Sequence, residues 1–103
     1  VTLSDGAIRN AYDIRLRNKH GQARVFEFQI VGDPALELRL EGQDGDETLV
    51  PADETLLQRV YVTAAPGTDP AGSDRTELRF WVQDSVSGER VYQDSLFNGK
   101  GSE

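Results

Sequence analysis

DGAIRNAYDIRLRN, residues 5–18, decides how the rest of the chain is read. From Ile8 onward its even positions are Ile8, Asn10, Tyr12, Ile14 and Leu16, and its odd positions are Arg9, Ala11, Asp13, Arg15 and Arg17. An apolar face alternates with a charged one, the period-two pattern of a strand half buried in a two-layer protein. A helix would scatter the same residues around its girdle. Asn10 interrupts the apolar face, and an amide there must bond a neighbouring backbone or sit at a sheet rim within reach of water. It marks a structural junction.

Beyond this stretch, residues 18–22 carry turn chemistry, with Gly21 able to take a positive φ, and residues 25–30 resume the alternation in Phe26, Phe28 and Ile30. These two strands are expected to pair as a hairpin. Gly32-Asp33-Pro34 breaks the pattern, because proline donates nothing to a ladder; Leu36, Leu38 and Leu40 then face away from Glu37, Arg39 and Glu41. Spacing outweighs the modest strand propensity of leucine, with a helix over residues 35–41 as the rival. A short strand over residues 48–50 and a turn over 51–54 lead to a strand over 56–63, apolar on both faces.

Residues 65–74, with two prolines and two glycines, form the longest irregular connection. Strict alternation returns over residues 77–84, where Leu78, Phe80 and Val82 oppose Glu77, Arg79, Trp81 and Gln83. The last strand, residues 91–97, is less cleanly patterned, and the polar tail 98–103 is expected to be disordered. Residues 1–4 read as a short edge strand or the end of a linker, and Val1 as the start of a segment of a longer protein. About seven short strands without a convincing helix imply an all-β, antiparallel immunoglobulin-like β-sandwich occupying residues 1–97 as one domain.

Composition narrows the partners. The net charge of −7, from 18 acidic and 11 basic residues, opposes phosphate-backbone binding, so nucleic acid is not expected. The same charge is repelled by an anionic leaflet, apart from the short basic run Arg15, Arg17 and Lys19. No apolar run approaches the roughly 20 residues that cross a bilayer. With no cysteine or methionine the chain has neither disulfides nor soft-metal ligands.

His20, the only histidine, lies in a turn beside Lys19 and Gly21, where water rather than a catalytic triad is its expected surrounding. The acidic loop Asp44-Gly45-Asp46-Glu47 superficially suggests calcium but lacks the alternating ligands and closing glutamate of a calcium loop. A solvated loop is the expectation, and nothing places two carboxylates in a pocket for hydrolysis. Trp81 is the residue marked for recognition, because an outward tryptophan in a regular strand is costly to leave in water. The bland alternative packs it under a loop or the stem of Arg79. Tyr61 has a similar phase and would extend such a patch if its strand neighboured that of Trp81.

Asp5-Gly-x-Ile8-Arg9-Asn10-x-Tyr12 resembles the opening of the C-terminal immunoglobulin-like domain of the FixG/CcoG family. The likeness continues through Arg17-Asn18-Lys19, Gly32-Asp33-Pro34, Val50-Pro51-Ala52, the run LRFWVQD at 78–84 and Ser95-Leu96-Phe97. The resemblance implies a parent with transmembrane helices and iron–sulfur clusters upstream, acting in assembly of a cbb-type cytochrome oxidase and handling copper or electrons. It places this domain on the periplasmic side of the bacterial inner membrane as a noncatalytic module without a cofactor or metal of its own. Its partners would be an oxidase subunit, a copper chaperone or an assembly factor. The alternative is a fibronectin-like or carbohydrate-binding module of a secreted or surface protein, which would expose a row of aromatics.

Overall fold

A computed structural model describes residues 2–42 and 45–99. Seven strands follow one another: β1 (Ile8–Arg17), β2 (Arg24–Val31), β3 (Leu36–Leu40), β4 (Glu47–Val50), β5 (Thr55–Ala64), β6 (Arg75–Asp84) and β7 (Arg90–Asn98). One helical turn, α1 (Asp69–Gly72), sits in the segment expected to be irregular, with Pro70 in its first turn, where a missing N–H costs nothing. The strands form two antiparallel sheets, β1-β5-β3 and β4-β2-β6-β7. With β1, β5 and β3 standing as B, E and D, and β2, β6 and β7 as C, F and G, this is the immunoglobulin arrangement with β4 added beside β2. The place of strand A, beside β1, holds among the described residues only the single bridge Thr2↔Ile8.

Alternation turns one face of every strand inward. Ile8, Ile14 and Leu16 of β1, with Val60 and Val62 of the neighbouring β5, share one buried layer with Phe28, Leu78, Phe80, Val82 and Phe97 of the other sheet. Each such side chain, fully buried, contributes roughly 1.5–3 kcal/mol, so the sheets cohere through this layer. The leucine segment is strand β3, paired with β5 in the register Leu36↔Ala64 to Leu40↔Val60, and the rival helix is not formed.

The hairpin expected from β1 and β2 does not exist: β1 pairs with β5, whereas β2 pairs with β4 and β6 in the opposite sheet. Asn18 is the cause. Only 1% exposed, it donates through Nδ2 to the carbonyls of Gln22 (2.9 Å), Val50 (3.1 Å) and Pro51 (3.1 Å), and its Oδ1 accepts the N–H of His20 (2.9 Å). These bonds fold residues 18–23 into an arch that carries the chain across the core. Alternation specifies an inward face but not which neighbour lies beside it.

Two further amides tie sheet to sheet. Gln58 accepts from Thr48 Oγ1 at 3.0 Å and donates to the carbonyls of Glu41 and Arg59 at 3.1 and 2.9 Å, joining β5 to β4. At the other edge, Asn10 donates to the Asn98 carbonyl at 2.9 Å and accepts the Asn98 N–H at 3.0 Å, the pair of bonds a neighbouring strand would supply. Tyr12 adds a 2.6 Å bond to the Leu96 carbonyl while its ring meets Phe80 edge-on at 5.0 Å. Asn98 is thus the last residue of β7, one position beyond the expected end of the domain; the tail from Lys100 lies outside the described residues.

Asn18→Ala should lower unfolding free energy by about 2–4 kcal/mol, since it strands several buried carbonyls, against about 1–2 for Asn10→Ala at the wetter edge; urea titration measures both. Burial pushes the Tyr12 hydroxyl up to about 12. The folded state therefore holds this proton more tightly than the unfolded chain, and the stability it adds is complete below pH 10.0 and lost as pH rises through about 12. Ultraviolet titration should show a late tyrosine ionisation, and Tyr12→Phe should remove that step.

Candidate docking surfaces

Register decides what the outer face of the four-stranded sheet displays. On β6 and β7 the pairs Arg79↔Asp94, Trp81↔Tyr92 and Gln83↔Arg90 lie directly opposite one another. Trp81 and Tyr92 tilt together with ring centroids 5.2 Å apart, the Arg90 guanidinium lies 4.7 Å from the Trp81 ring, and that of Arg79 lies 3.9 Å from Tyr92. Arg79 also grips Asp94 with bonds of 2.7 and 3.4 Å; this hydrogen bond holds the Asp94 carboxyl below its ordinary range and the arginine above its own. Trp81 therefore points outward but is half-covered, and Tyr92 beside it is 55% exposed. The result is a rigid, cation-flanked aromatic step on a flat face.

Tyr61 does not extend it. It lies on β5 in the three-stranded sheet, bonded to Glu41 Oε1 at 3.0 Å and covered by the Arg9 guanidinium at 4.6 Å, on the far side of the sandwich from Trp81. Similar phase along two strands does not place residues on one surface when the strands belong to different sheets.

A second feature opens between β1 and β7. Asn98 offers both backbone groups, and Leu96 its carbonyl, to side chains of β1; in an antiparallel strand the N–H and C=O of alternate residues point the same way, so those of Asp94 and Tyr92 also face β1. No partner for them is found among the described residues. Below Tyr12 the sheets part around a groove of about 310 Å³, floored by Ile14, Leu16, Phe80 and Val82. The face of β7 that buries Phe97 (0% exposed) carries Val91 at 68% exposed, an inward-facing apolar residue with nothing over it. Arg15, Arg17 and Lys19 line one lip and Glu89 the other.

The groove ends at Asp84, 4% exposed. Burial opposes its ionisation, but the N–H groups of Val86 (2.8 Å) and Ser87 (3.2 Å) and the Arg24 guanidinium (3.0 Å) outweigh it and hold its pKa below the ordinary value. His20 sits in its turn as expected, half-exposed, with Nε2 3.8 Å from the same carboxylate. Among the described residues no three histidine or carboxylate side chains gather as a metal site. Gln43 and Asp44 lie outside them; Glu47 is an exposed residue of β4, and the Asp46 carbonyl accepts the Phe28 N–H at 2.8 Å. Sequence reasoning missed Tyr92, Arg90 and Val91, although Val91 shares the parity of Phe97 and so carried a usable signal.

The two sheets and their strand order define an immunoglobulin-like module. The chain belongs to the FixG C-terminal family: residues 1–100 match the family described as "IG-like fold at C-terminal of FixG, putative oxidoreductase". It is 51% identical over 102 residues to protein RdxB of Cereibacter sphaeroides, covering 99% of this chain and 21% of that protein. To the nitrogen fixation protein FixG of Rhizobium meliloti it is 31% identical over 107 residues, covering 99% and 20%. The chain thus spans about a fifth of the length of these curated relatives. The crystal structure of a FixG-related protein from Vibrio parahaemolyticus has the same fold, with a TM-score of 0.76 over 92% of this chain and 82% of that one at 21% identity.

Because the folded pKa of Asp84 lies below the unfolded value of 3.8, its contribution to stability is complete above that pH and lost as pH falls through the folded value. Thermal melts between pH 7 and 2 should show a fall at the acid end that is shallower in Asp84→Asn, with Asp94 supplying part of the remaining slope.

Proposed function

We propose that this domain is a noncatalytic docking module at the C-terminal end of a FixG-like, membrane-anchored iron–sulfur protein. The parent would work on the assembly of a cbb-type cytochrome oxidase, with this sandwich on the periplasmic side holding an oxidase subunit, a copper chaperone or an assembly factor. Family membership supports the parentage. The observation that carries docking is the Trp81–Tyr92 step between Arg79 and Arg90, since tryptophan, tyrosine and arginine are the residues that concentrate binding energy at interface centres. Cross-strand stacking fixes their rotamers before a partner arrives, which lowers the entropic cost of binding. Iron–sulfur and copper chemistry belongs in this reading to the upstream segments, where the parent's clusters would lie.

The test is made in the full-length parent in its own membrane. A photo-crosslinking residue in place of Trp81 should capture an oxidase subunit or assembly protein, and Trp81→Ala should weaken that association about 30-fold, as loss of a hot-spot aromatic does. Removing the domain should lower oxidase activity while leaving the cluster spectrum of the parent intact. Unchanged oxidase activity without the domain would sink the reading.

A further inference from the structure

We infer that the open half of the cleft between β1 and β7 is a strand-addition site for an extended segment of a partner protein in which acidic residues alternate with apolar ones. The inference rests on reading the domain as a docking module and adds a second contact site, distinct from the Trp81 face, with the chemistry of the segment it takes.

The first observation is an unfinished sheet edge. In the upper half of the cleft Asn10 and Tyr12 supply the edge of β7 with the bonds a fifth strand would make to Leu96 and Asn98. That substitution stops at Tyr12, and the backbone groups of Asp94 and Tyr92 continue the same edge with no partner among the described residues. An added segment bonds there without disturbing the β6–β7 ladder, which uses the other set of residues. The half already occupied limits the insert to about five residues, a short strand.

The second observation is the floor. A strand added to β7 turns alternate side chains toward Ile14, Leu16 and Phe80 and toward Val91, whose 68% exposure on an inward face has no other account in the fold. Apolar residues at every second position of the insert fit it.

Charge selects the rest. On the lip of β1, Arg15, Arg17 and Lys19 follow Asp13, which Arg59 engages at 3.1 Å, so the cationic run stands clear of the one acid on its own face. Glu89 is the exposed acid opposite, and Asp84 at the groove's end is occupied by Arg24. In a chain of net charge −7 this lip is a local reversal of sign, and it attracts an acidic partner that the remainder of the surface repels.

A random dodecapeptide display library panned on this chain tests the site. Recovered sequences should alternate Asp or Glu with Val, Ile or Leu. A synthetic peptide of the recovered consensus should shift the amide resonances of Tyr92 and Asp94 and slow their hydrogen exchange. Its affinity should drop about tenfold in R15E/R17E, where two exposed charges are reversed, and fall as salt is raised. Val91→Asp, which places an acid on the groove wall, should weaken it in parallel, and Glu37→Ala, an exposed change on β3 of the other sheet, should leave it unchanged. Circular dichroism confirms that each variant is folded, and either groove variant alone suffices. Recovery of cationic peptides, or of none, overturns the inference, as does binding to vesicles of anionic lipid through the same arginines. Peptides that map to the Trp81 face overturn it while leaving the docking reading intact. Protection of the Tyr92 and Asp94 amides in the longer parent without added peptide would seat a segment of the same polypeptide there and also overturn it.

Discussion

The bonds from Asn10 and Tyr12 to the edge of β7 govern the rest of the structure. Two sheets that share a greasy layer can slide and splay, because apolar contact is not directional. Three short polar bonds from side chains of one sheet to backbone groups of the other remove that freedom at one margin. The cost of an amide on an inward face is offset because it satisfies edge groups that would otherwise need a strand. Where these side chains stop, the sandwich opens, so the same device defines the sealed and the accessible halves of one cleft.

Gln58 performs a similar service between β5 and β4, and Asn18 holds the arch between β1 and β2. Apolar side chains supply the cohesion, but inward amides supply the register between sheets. A chain without disulfides depends on such fixed points, since the core alone does not choose among several nearly equal packings. The outer face follows the same economy: Arg79, Asp94, Trp81 and Tyr92 hold one another in place through ion-pair, ring and cation–π contacts.

Much of the fold was legible. Alternation in residues 8–17, 36–40 and 77–84 identified the strands and their buried faces, because an inward side chain recurs every second residue whatever lies across from it. Trp81 was legible as outward for the same reason. Its neighbours Tyr92 and Arg90 were not, because they reach it across a ladder whose register depends on residues 85–89 and on the pairing of β6 with β7. Tyr61 failed in the opposite sense: it has the right phase but stands in the other sheet.

What the sequence by itself determined is the class of fold, the inward residues of the cleanly alternating strands, the excess of acid over base and the family wording around Asp5 to Tyr12. Each of these is written in local spacing or in composition. Only the tertiary structure decided that β1 and β2 part into different sheets, that Asn18 is a buried hub, and that Val91 faces inward yet lies open. Those facts depend on which distant backbone groups meet an amide or a strand edge. Hydrogen-bonding capacity is visible in a residue's name, but its partner is chosen by closure of the whole sandwich.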